Sequence, residues 1–271
     1  MIAALLLAAV TEAAGLVALG DAHYGRRAEG AVGARAQPVE VDQAIDSYRS
    51  ALTADPGSKI ARTRLIRAVF FRTSFCDASS NERRRLLREA RDVAAEGLRR
   101  LDVDLGDAKG SARLDALRRV DHAVDLHFWA AVAWGQWGLA AGKLAAVRQG
   151  VAGRVRDLGQ VVVDLDPAFE QGGGYRILGR LHDQCPRIPF LTGWVSRERG
   201  LQFLRQALAL NPANTVDQVF LAEAILAHDS ARQAEAIRLL EACARSVPRA
   251  EFLVEDAFYI DRARTLLASS R

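Results

Sequence analysis

The chain has 271 residues, 50% hydrophobic and 26% charged, with a formal net charge of +4. That balance supports a sizeable core or an extended stack of helix pairs, and it excludes disordered and collagen-like chains. Its basic residues are nearly all arginine and are interleaved with Asp and Glu, as where Arg83-Arg84-Arg85 sits beside Glu82 and Glu89; a nucleic-acid binder concentrates them on one face, so no nucleic-acid partner is expected.

Residues 1–20 read as either an export signal or a first packed helix. Ile2 to Val10 form an apolar run, long enough for a signal core and too short for a membrane span. Ala13-Ala14-Gly15 would frame a cleavage site, although the first basic residue is Arg26. Residues 21–271 read as a single helical-repeat domain. Ala, Leu, Arg and Glu fill most windows, so the class is all-α.

The repeat is the main signal. A tetratricopeptide repeat is two antiparallel helices over about 34 residues. Its second helix carries a small residue, a large apolar one four later, a small one three later, then a proline. Positions at +4 and +7 share one helix face, and the proline ends the unit. The pattern occurs first as Ala44, Tyr48, Ala51 and Pro56. A weaker match, Val155, Gly159, Val162 and Pro167, follows. Gly200, Leu204, Ala207 and Pro212 make the next, and Ala236, Leu240, Cys243 and Pro248 the last. One rule thus places four of the seven prolines.

First helices are expected at 59–74, at Tyr175, Leu178, Gly179 and His182, and at Phe220, Ala224 and Ala227. The partner of the first of these spans 80–101. Residues 102–111 and 183–194 read as loops, and a helix over 251–268 closes the stack. The fold expected is an all-α, tetratricopeptide-like superhelix of antiparallel helix pairs with a C-terminal capping helix.

The segments FWAAVAWGQWG and VVVDLDPAFEQGGGYRILGRLH, then Thr192-Gly193-Trp194, then RGLQFLRQALALNP, occur in an order that resembles the T component of TRAP transporters. The likeness runs over roughly 40–268. It implies a periplasmic helical-repeat protein that docks a solute-binding protein. It also implies a homotrimer, and a cleft that passes a small apolar or organic-acid ligand. Two features depart from that family. No cysteine precedes Cys76, so a lipid anchor is not expected, and Thr192-Gly193-Trp194 replaces a Gly-Gly-Asp-like turn. A cytosolic adaptor that binds a peptide in its concave groove is the alternative.

Phe128, Trp129, Trp134 and Trp137 form an aromatic cluster, with Tyr175 and Trp194 as further candidates. They read either as core packing between helices or as the lining of an internal cleft. No catalytic chemistry or cofactor is expected. Cys76, Cys185 and Cys243 form no CxxC pair, and the histidines form no HxxxH or HExxH pair. Gly172-Gly173-Gly174 lacks the Lys-Ser/Thr of a phosphate loop and reads as a flexible interhelical turn.

Overall fold

The computed structural model describes residues 2–269, with side chains described from residue 10 onward. Among the described residues there are α-helices, two short 3-10 turns and no β-strand. The chain divides into two compact units: Met1–Ala31 with Arg35–Gln149, and Val32–Ala34 with Gly150–Arg271.

The first unit holds α1 (Ile2–Gly25), α2 (Pro38–Ala54), α3 (Lys59–Phe75) and α4 (Ser80–Leu105), followed by α5 (Gly110–Leu117), α6 (Ala123–Ala141) and α7 (Lys143–Arg148). Ala13, Val17 and Tyr24 of α1 are buried, and Tyr48 of α2 reaches back to donate its hydroxyl to Asp21 at 2.7 Å. Tyr48 is closed to solvent and its hydroxyl pKa is pushed well up, chiefly by burial. α4 continues through Leu105, so the expected break begins only at Gly106, whose positive φ of 59° ends the helix. The apolar run Ile2 to Val10 lies mostly outside the described side chains. No helix among the described residues is long and apolar enough to cross a membrane.

The second unit holds α8 (Val151–Leu165), α9 (Gly173–Gln184), α10 (Arg197–Leu210), α11 (Thr215–His228), α12 (Gln233–Ala244) and α13 (Leu253–Ser269). Leu204, Ala207, Leu240 and Cys243 are completely buried, as the repeat pattern requires. Each large apolar side chain so buried contributes about 1.5–3 kcal/mol. Asn214 caps α11 by accepting from Val216 N and Asp217 N. α13 caps the stack by packing Ile260 and Ala263 against the α11–α12 core.

Two of the repeat glycines act through close approach. A Cβ on Gly179 would lie 2.6 Å from Leu204 Cγ and 3.0 Å from Leu204 N, so α9 and α10 cross at a point that admits no side chain. Gly173 and Gly174 correct the expected flexible turn: both are buried in the first turn of α9. A Cβ on Gly174 would meet Val162 and Val163 of α8 at about 3 Å. Flexibility is not what selects glycine here; helix proximity is.

Candidate functional site

In the second unit, α9, α11 and α13 are the first helices of successive repeats, and side chains at three- and four-residue spacing link them. Arg176, Arg180 and Asp183 follow one face of α9. Asp217, Phe220 and Glu223 do the same on α11, and Tyr259 and Arg262 on α13.

The links are charge-assisted and aromatic. Arg180 Nη2 meets Glu223 Oε2 at 2.7 Å, and its Nη1 meets Asp183 Oδ2 at 2.7 Å. The same guanidinium lies 4.3 Å from the Phe220 ring centroid. Glu223 also accepts from Arg262 Nε at 2.8 Å. Phe220 meets Tyr259 edge-on at 5.6 Å, and burial pushes the Tyr259 hydroxyl up to about 12. His228 Nε2 lies 3.0 Å from Asp183 Oδ1. Arg262 and Arg180 keep 49% and 29% of their side-chain surface exposed, so their outer edges remain available while their positions are fixed.

The six aromatic candidates divide between the units. Phe128, Trp134 and Trp137 are nearly buried on α6, and Trp129 is half-buried. Trp134 and Trp137 meet edge-on at 5.9 Å, and Arg91 of α4 covers Trp137 at 4.3 Å. Trp129 meets Phe128 edge-on at 5.1 Å and Phe70 of α3 at 6.1 Å. These four fill the seam where α6 meets α3 and α4. Tyr175 on α9 and Trp194, just before α10, are brought together in the second unit by two residues between them. Phe203 stacks on Tyr175 at 6.2 Å and on His182 at 5.9 Å, and Trp194 meets His182 edge-on at 5.4 Å. Arg156 covers Trp194 at 4.7 Å.

His182 anchors that cluster. Its Nδ1 accepts the Ser196 backbone N–H at 3.0 Å, so its proton sits on Nε2. Burial, then the nearby Arg199, Arg156 and Arg197, pull its pKa below the usual histidine value.

Arg180, Glu223, Tyr259 and Arg262 belong to no motif visible in the sequence. Their signal was recurrence at matching faces of successive first helices, which hydrophobic periodicity does not score. Among the described residues no group of three His, Cys, Asp or Glu side chains converges as a metal site would.

No protein-family model matches the sequence, and no curated protein matches it. Among solved structures, a thermophilic TPR protein of Thermus thermophilus covers 95% of this chain, and 97% of its own length is matched. Its TM-score is 0.54 at 14% identity. The fold is that of tetratricopeptide-repeat proteins. The TPR2AB-domain:pHSP90 complex of yeast Sti1 matches at 12% identity with a TM-score of 0.33, over 96% of this chain and 99% of that one. At 14% identity the likeness to the Thermus protein concerns the tetratricopeptide fold alone.

Proposed function

We propose that the protein is a non-catalytic docking scaffold that binds a protein partner across the first-helix face of its second unit. The observation that carries this is the preset link Arg180–Glu223–Arg262, with Arg180 over the Phe220 ring and Phe220 in turn edge-on to Tyr259. Two partly exposed guanidiniums beside an aromatic pair suit a segment that presents a carboxylate next to an apolar side chain.

The finer reading is a partner in the periplasm: the solute-binding protein of a TRAP-type uptake system, met by a trimer of this chain. Its support is the order of segments from Phe128 to Pro212 and the apolar run Ile2 to Val10. In that reading the aromatics serve small-ligand contacts within each unit, Phe128, Trp129, Trp134 and Trp137 in the first and Tyr175 and Trp194 in the second. The tetratricopeptide fold serves equally a cytosolic adaptor that holds a peptide.

A benzophenone side chain substituted for Phe220, photolysed in the native host, tests the docking face. A crosslink to one protein that disappears with Arg180→Glu is expected. Crosslinking indifferent to that charge reversal sinks the reading. Fractionation with N-terminal sequencing separates the compartments: a cleaved periplasmic chain favours the transport role, and an uncleaved cytosolic chain the adaptor.

A further inference from the structure

Buried charges in folded proteins are paired, because an uncompensated ion in a low-dielectric interior is costly. Arg62 of α3 departs from that rule. It is 5% exposed, and it donates from Nη1 to the Val93 carbonyl at 2.9 Å and from Nη2 to the Pro56 carbonyl at 2.7 Å. No carboxylate among the described residues forms an ion pair with it. Those carbonyls occupy two of the five N–H donors of a guanidinium. Burial, then Arg100, pull its pKa down, and Glu96 and Asp55 offset this only at a distance.

Arg62 lines an open cavity of about 310 Å³ together with Lys59, Arg99, Arg100, Asp104 and Gly57. Four basic side chains therefore face one carboxylate. Glu96 neutralises Arg99 and Arg100 jointly, at 2.8 Å and 2.7 Å, so one anion serves two cations. Asp55 is turned to the Gly57 N–H at 2.8 Å. Lys59 has no carboxylate partner among the described residues. Lys59 is also the first residue of the 17-residue α3, whose positive end adds to the field. Gly97 of α4 completes the design, since a Cβ there would run into the Arg62 side chain.

We propose that this cavity, between the start of α3 and the last turns of α4, binds a small phosphate-bearing anion through Arg62 and Lys59, with Arg100 at its rim. The free donors of Arg62, the three of Lys59 and those of Arg100 outnumber the two oxygens of a carboxylate and match a phosphate. This site lies in the first unit and is independent of the docking face.

Calorimetric titration of the full chain at low ionic strength, with orthophosphate and separately with glycerol 3-phosphate, tests it. Saturable one-to-one binding of at least one probe is expected, with about tenfold weakening in Lys59→Ala and again in Arg100→Ala. Tighter binding of the ester assigns the phosphate to a small metabolite, and tighter binding of orthophosphate to the free ion. Arg62→Met keeps the apolar stem and should abolish binding. Since that variant could unfold, the decisive variant is Lys59→Ala, whose urea midpoint should match the parent. Three outcomes overturn the proposal: no saturation at about 10 mM probe, unchanged affinity in Lys59→Ala, or equal binding of sulfate that vanishes at about 0.15 M chloride.

Discussion

Arg176 holds both carboxylate oxygens of Asp217, Nε to Oδ1 at 2.6 Å and Nη2 to Oδ2 at 2.9 Å, and Asp217 is completely closed to solvent. The guanidinium stays charged: burial alone would lower its pKa, yet Asp217 overrides this and the net shift is upward. It also donates to the carbonyls of Glu170 and Gln171, two residues with positive φ of 47° and 56°. One side chain thus joins α9 to α11 and pins the left-handed turn before α9. Arg176→Ala should cost about 3–5 kcal/mol, because it strands a buried carboxylate. The pair Arg176→Met with Asp217→Leu should recover most of that loss. Urea unfolding of the parent, the single and the double variant measures it, and a mild single variant contradicts the account.

Gly179→Ala is expected to destabilise by about 1–3 kcal/mol, although alanine favours helices. The new methyl would collide with the backbone nitrogen of Leu204 as well as its side chain, so rotamer change alone gives no relief. Gly15→Ala on α1 is the control. A Cβ there meets nothing within 4 Å, and the change should raise the melting temperature slightly.

Much of this was legible in the sequence, because the repeat couples chemistry to spacing. Tyr48, Leu204 and Leu240 occupy the large position of their repeats, and each is fully buried. Pro56, Pro167, Pro212 and Pro248 each follow the end of a second helix. The linking ladder was not legible. Arg180, Glu223 and Arg262 lie far apart in the chain and look like any solvated helix face until α9, α11 and α13 are set side by side. Arg62 was hidden for the opposite reason: a charged residue in an apolar-periodic helix gives no sign of being buried.

Acidification from pH 7 towards 5 should lower stability through two histidines. Burial depresses the pKa of His127, and burial with three arginines depresses that of His182. The unfolded chain, with histidines near 6.5, therefore binds more protons than the folded one across this window. The stability is fully present above about pH 6.5 and is lost as pH falls through the folded values. Protonating His182 at Nδ1 also breaks the bond to Ser196 N that holds the start of α10. His127→Gln and His182→Gln should each remove about half of the pH dependence of the urea midpoint. A parent midpoint that stays flat from pH 7 to 5 rules out both assignments.

The ladder on the first-helix face separates stability from recognition. Arg180→Glu places a carboxylate against Glu223 and Asp183, so it should cost about 1–2 kcal/mol and abolish partner crosslinking at position 220. Combining Arg180→Glu with Glu223→Arg restores opposite charges between α9 and α11. The guanidinium introduced on α11 would, however, sit beside Arg262, where the Glu223 carboxylate now bridges. Stability should return only in part, by about 0.5–1 kcal/mol. Crosslinking should stay lost, because a partner meets the charges in the reversed order. If the swap restores crosslinking along with stability, a guanidinium at position 180 has no part in recognition, and the loss in Arg180→Glu alone was a loss of folding.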